Sequence, residues 1–378
     1  MTATSRGRRR GAAPRASVPA RLLVVLLAVV ASVAVAGPAS AHVGGGVAGS
    51  DFTARVLSVS PRLPGVTVRI LQFGDDIELR NRTSTEVVVP GYSDEPYLRI
   101  GPRGVFRNER SPATYINLDR YARVKLPADA DPKAAPRWRQ VATGSAYVWH
   151  DHRTHWMTQR ALPPSVAADP SVSHTVFRWT VPLQYGGTPV TVRGVLSWDP
   201  PPAAGLVWPV YAGLFLLALV AGLLARGPRP LAGVLLVAAA AALWDAGATP
   251  APAATQGSHA GAVIAALLPA LLTVVVACIG LRAALRDRGV LTGLMAVAVG
   301  WLTLIQGLPD VDALWSAHVL SSGPEWGARG AVALMIALGG GCVLGGIAAA
   351  RRFRATAVPT PDARRAGSDS QPEPAPAP

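Results

Sequence analysis

The sequence predicts an all-β, immunoglobulin-like sandwich followed by an α-helical bundle of five transmembrane helices. Two observations carry that reading. Short runs rich in β-branched and aromatic residues, several alternating apolar with polar, fill the stretch between His42 and Pro202. Five apolar stretches then crowd the second half, with arginines on alternate gaps between them. A third observation sets the start of the fold: an arginine-rich segment ahead of an apolar run assigns residues 1–41 to a signal peptide.

In that leader, Arg6, Arg8, Arg9, Arg10, Arg15 and Arg21 precede the apolar core Leu22–Ala36. Ala39-Ser40-Ala41 supplies the small-x-small pattern a signal peptidase accepts. An uncleaved N-terminal anchor is the alternative. Cleavage behind Ala41 makes His42 the first residue of the mature chain.

Residues 42–202 form the extracytoplasmic domain. The expected strands are Phe52–Val59, Val66–Phe73, Ile77–Arg80, Glu86–Val89, Tyr97–Ile100, Ala146–Trp149, Thr175–Val181 and Val190–Trp198. Pro61, Pro64-Gly65, Pro90-Gly91 and Gly186-Gly187 punctuate them. That number of short strands without a helical period indicates an antiparallel sandwich of immunoglobulin-like kind, although the antibody-type Cys–Trp–Cys core is absent. Residues Phe106–Ser145 break the rhythm and read as a long ordered loop or insertion. Cys278 and Cys342 both fall in apolar stretches, so no disulfide staples the domain, which must stand on its own core.

The membrane domain, residues 203–350, places its spans at Leu206–Ala225, Leu231–Ala246, Gly261–Leu281, Val290–Leu308 and Gly330–Ala350, each near the ~20 residues a helix needs to cross a bilayer. The gaps at Arg226–Pro230 and Arg282–Gly289, and the tail that opens with Arg351-Arg352-Phe353-Arg354, are basic. The gaps at Ala248–Ser258 and Pro309–Arg329 are neutral or acidic. The positive-inside rule then puts the N-terminal domain outside the plasma membrane and the C-terminus in the cytoplasm. Residues 351–378 read as a disordered cytoplasmic tail. The same sorting explains the formal charge of +14: the excess sits in the leader and the inside segments, the outward part is close to neutral, and no nucleic-acid partner is indicated. Lipid is the partner the spans imply.

Chemistry concentrates in Trp149-His150-Asp151-His152-Arg153-Thr154-His155-Trp156-Met157. On a strand His150 and His152 share a face, and on a helical turn His152 and His155 do. Either way two imidazoles can meet one ion, and imidazole suits zinc, copper or nickel. Asp151 is a further ligand or orients an imidazole. His42, offering an α-amine and a ring together, favours Cu(II). The metal ligand set is therefore His42, His150, Asp151, His152 and His155. The competing reading is structural, with Trp149, Arg153 and Trp156 joined through cation–π contact to hold a loop on the core. Asp245, beside Trp244 at the end of the second span, is either a site or a hydrated interface residue. The glycines at 339–341 and 345–346 should let another helix approach closely. No nucleophile elbow, paired carboxylates or phosphate loop is present, so no enzyme is expected.

A signal peptide ending Ala39-Ser40-Ala41, then His42, a β-sandwich and a multi-span second half resembles the copper-resistance proteins of the CopC/CopD type. The resemblance implies an exported sandwich that grips Cu(II) through an N-terminal His; the sandwich here is longer and the spans fewer than in that family. High Ala, Arg, Gly and Pro content suggests a high-GC bacterium such as an actinomycete. The expected function is a non-enzymatic envelope protein handling copper or another divalent transition metal. The alternative is a scaffold or assembly protein whose sandwich binds a protein partner.

Overall fold

The computed structural model describes residues 48–158 and 161–356. His42 and the leader lie outside those residues, as does the tail beyond 356. In chain order the first strands are β1 (Gly49–Ser50), β2 (Phe52–Ser60), β3 (Val66–Leu71), β4 (Asp76–Asn81), β5 (Val87–Pro90) and β6 (Pro96–Gly101). They are followed by β7 (Gly104–Asn108), β8 (Trp138–Ala142), β9 (Ala146–His150), β10 (His174–Tyr185), β11 (Thr188–Trp198) and β12 (His318–Val319).

The longest hairpin is the most strongly patterned one. β10 and β11 pair from His174↔Trp198 to Tyr185↔Thr188. They turn through Gly186 and Gly187 at φ +54° and +84°, a two-residue turn that needs residues free of a Cβ penalty. Extending from this hairpin, a seven-stranded antiparallel sheet runs in the order β2-β11-β10-β5-β6-β7-β8, and a three-stranded sheet runs β3-β4-β9. One core joins them. Ile77, Leu79 and Trp149 of the small sheet pack with Val87, Leu98, Trp179, Val181, Val192 and Leu196 of the large one. Each such side chain, fully buried, stabilises by about 1.5–3 kcal/mol. The alternation that puts these residues inward was readable from sequence.

Four strands were not: the two-residue β1 and β12, and β7 and β8. β7 and β8 lie in and beside the stretch expected to be a long ordered loop or insertion from Phe106 to Ser145. The true connection is shorter, residues 109–137, with one helical turn at Ala113–Ile116. The reason is physical: β8 is an edge strand without a fully buried side chain, so no apolar period marks it, and β7 is only five residues long.

Five helices among the described residues are long and apolar enough to cross a membrane. They are α1 (Ala204–Leu224), α2 (Arg229–Gly247), α3 (His259–Leu285), α4 (Gly289–Gly307) and α5 (Glu325–Thr356), each over an expected span. α5 packs between α1 and α4. A Cβ on Gly345 would stand 2.6 Å from the Ala218 carbonyl oxygen of α1, and one on Gly346 would stand 2.6 Å from the Gly293 carbonyl oxygen of α4. Glycine is required at both contacts, as small residues are wherever helix backbones close up.

The β region is tied to one end of the bundle. β1 pairs with β12 in the segment after α4, and Ala317 N donates to Asp51 Oδ1 at 2.8 Å. His318 Nε2 meets Asp199 Oδ2 at 2.8 Å. On the small sheet, Arg69 Nη2 donates to the Pro252 carbonyl at 3.1 Å, and Ala254 N donates to Glu78, which Arg69 also grips through two nitrogens. The basic segments gather at the other end, where Arg352 donates to the carbonyls of Leu223 and Ala225.

Candidate metal centre

The His-rich segment begins as strand and continues as turn. β9 pairs with β4 so that His150 lies opposite Asp76 and Trp149 opposite Ile77. The chain then folds over the end of the small sheet. Asp151 N donates to the Asp75 carbonyl at 3.1 Å and Thr154 N to the Asp151 carbonyl at 3.2 Å. Thr154 Oγ1 donates to the Gly74 carbonyl at 2.5 Å. Gly74 sits at φ +134°, and a Cβ there would stand 2.8 Å from the Thr154 carbonyl oxygen. The turn can therefore seat only against glycine.

Asp151 fastens this turn. It is fully buried and accepts from Trp149 Nε1 at 2.8 Å, Arg153 N at 3.1 Å, Arg153 Nε at 2.8 Å and Arg153 Nη2 at 2.6 Å. Burial alone would raise its pKa. The Arg153 and Trp149 bonds outweigh that and hold the carboxyl below its ordinary value. Trp149 and Arg153 claim both oxygens, and Asp151 is not among the residues whose ligand atoms converge. Arg153 lies over the Tyr92 ring, 5.2 Å from its centroid, and Tyr92 Oη accepts from His152 N at 3.0 Å. A structural network therefore holds the turn, but not the expected one: Arg153 lies over Tyr92 and not over either tryptophan, Trp149 is joined through Asp151, and Trp156 donates to the Ala161 carbonyl at 2.7 Å instead.

Held on this frame, His150, His152 and His155 place ligand nitrogens within 4.8 Å of one another. Ring centroids are 4.9 Å apart for His150 and His152, 4.7 Å for His150 and His155, and 5.4 Å for His152 and His155. The outer nitrogen of each ring faces an oxygen. His152 Nε2 lies 3.1 Å from the Ile116 carbonyl and His155 Nδ1 lies 3.2 Å from the Trp156 carbonyl. A carbonyl oxygen only accepts, so those two nitrogens carry the hydrogens. His150 Nδ1 faces the Asp76 carboxylate at 3.5 Å. The tautomers so assigned leave lone pairs on His150 Nε2, His152 Nδ1 and His155 Nε2.

Electrostatics favours the neutral rings that a metal requires. Burial first, then the neighbouring His150, push His155 down to about 3. Burial also lowers His152, against the opposing Ile116 hydrogen bond. Both rings are ready ligands at neutral pH. Two of the lone pairs, on His150 Nε2 and His155 Nε2, are buried without a hydrogen-bond partner. Each such orphan costs about 1–3 kcal/mol. Phenyl rings would fill the same space without that cost, so packing alone does not account for three histidines here.

Sequence spacing brought forward all three histidines, but not what orients them. Asp76 is signalled only through the β4–β9 pairing, and the Ile116 and Trp156 carbonyls are backbone groups that carry no residue signature. Elsewhere, His259 Nε2 is hydrogen-bonded to the Thr249 carbonyl at 2.8 Å, and Gln306 donates to Thr273 at 3.0 Å, so these polar groups near the helix ends serve local bonds. A scan against protein-family models and searches of curated proteins and of solved structures found no match to this chain.

Proposed function

We propose that the chain is a multi-pass plasma-membrane protein whose extracytoplasmic β domain binds a transition-metal ion through His150, His152 and His155. The observation that supports it most is the convergence of three imidazole lone pairs whose opposite nitrogens are engaged by Asp76, Ile116 and Trp156. That is how ligating histidines are held in metal sites. Copper is the metal the reading favours, and the role is binding and handling in the envelope, not catalysis. The β domain reads as an immunoglobulin-like sandwich in architecture, with a larger sheet over a smaller one. The orientation follows from charge. Both segments that touch the β domain, after α2 and after α4, are poor in basic residues, and the arginines collect at the opposite end.

The test is metal content. Full-length protein in detergent, dialysed against copper or zinc and then against metal-free buffer, should retain one ion per chain. The triple variant His150→Ala, His152→Ala, His155→Ala should retain none while keeping the helical circular dichroism of the parent. Equal retention by both would remove the proposal. Protease added to intact spheroplasts should cleave between β7 and β8; protection there would reverse the orientation.

A further inference from the structure

We infer that Met157 is the fourth ligand of this site and that the ion it selects is Cu(I); the inference rests on the metal-binding reading above. Met157 follows His152 by five residues in the same turn, and its Sδ stands 2.8 Å from His152 Nδ1. With the hydrogen of that ring committed to Nε2 by the Ile116 carbonyl, neither atom of the contact carries a proton. A thioether sulfur and an imidazole lone pair facing each other are two acceptors, and a cation beside them turns an unfavourable contact into a donor pair. Thioether sulfur is a soft ligand that selects Cu(I) from the metals imidazole alone would accept.

The charge around the cluster agrees. Asp75 is paired with Arg120, Asp119 with Arg123, and Asp151 with Arg153. That leaves Asp76, opposite His150, as the carboxylate facing the cluster. Three neutral imidazoles and a thioether bring no charge of their own. One nearby carboxylate balances a monovalent cation and leaves a divalent one half-compensated in a partly buried site, where uncompensated charge is costly.

The experiment compares full-length protein with Met157→Leu, a volume-conserving change, both in a Cys278→Ala, Cys342→Ala background that removes the thiols. Cu(I) affinity is measured anaerobically by competition with bicinchoninate, and Zn(II) affinity with a fluorescent zinc chelator. Losing one ligand should weaken Cu(I) by at least the roughly 10- to 100-fold that losing a residue hydrogen-bonded to a metal ligand costs, and leave Zn(II) within about 3-fold. Unchanged Cu(I) affinity in the variant would show that Met157 is no ligand, with the histidine site still standing. Parallel loss of both ions would make Met157 a packing residue and overturn the inference equally. Uptake of neither ion by the parent would sink the metal-binding reading itself.

Discussion

Replacing Asp151 by Asn tests the frame on which the histidines sit. The substitution keeps shape and removes charge, so Arg153 loses its partner while its side chain remains 19% exposed. Breaking a buried ion pair from one side costs about 3–5 kcal/mol. Arg153's partial access to water reduces that to about 2–3 kcal/mol. At roughly 2–4 °C per kcal/mol for a domain of this size, the thermal midpoint should fall by roughly 4–12 °C. Trp149 donates to the substituted carboxylate, so tryptophan fluorescence of the full-length protein in detergent is a suitable probe. The pH dependence follows from the sign of the shift. A carboxyl held below its ordinary value stabilises the fold above that value and loses the contribution as pH falls through the lower, folded one. The parent should therefore lose stability below about pH 4, and Asp151→Asn should show a flatter acid limb. The double variant Asp151→Asn, Arg153→Gln should recover part of the loss, because no unpaired guanidinium remains. A midpoint within about 1 °C of the parent, with the same acid limb, would refute the assignment of Asp151 as the fastening residue.

Other outcomes follow from the same geometry. Gly74→Ala should destabilise the β domain by at least about 1 kcal/mol in denaturant unfolding, since a Cβ would meet the Thr154 carbonyl at a backbone angle that disfavours side chains; an unchanged midpoint would contradict the packing described. His155, held down to about 3, binds a proton more readily when unfolded, so metal-free protein should lose stability as pH falls from about 6.5 toward 3. His155→Phe should remove most of that slope in a thermal titration. Gly345→Leu should separate α1 from α5 and lower the detergent-resistant midpoint of the bundle, where Leu217→Phe on the exposed face of α1 should not. Glu78→Gln should loosen residues 250–258 from the small sheet, read as faster hydrogen exchange at Ala254, whose N–H it accepts.

The parts of this molecule that could be read in one dimension are those whose signal is periodic. The spans announce themselves by length and hydropathy, and the β10–β11 hairpin by alternation across Gly186-Gly187. β8 is exposed and short, so its pairing with β7 is a long-range fact with little local trace. The histidines follow the same division. His150 lies on a strand and His152 and His155 on the turn beyond it, so no single period places all three, and their convergence depends on the Thr154–Gly74 bond across 80 residues. Asp151 looked like a ligand because a carboxylate between two histidines has the right chemistry, yet the adjacent Arg153 and Trp149 claim its oxygens. Met157 closes the His-rich segment but was not singled out as a ligand, because a lone methionine near a core is ordinary packing until its sulfur is seen against a ring nitrogen.

Coordination itself is the most direct test. X-ray absorption at the copper edge of loaded, full-length protein should show imidazole scattering from about three rings, at the ~2.0–2.1 Å typical of metal–imidazole bonds, and should lose it when His150, His152 and His155 are replaced together. A spectrum with only light oxygen neighbours and no imidazole pattern, or one unchanged by those replacements, would contradict the claim that these three rings hold a metal.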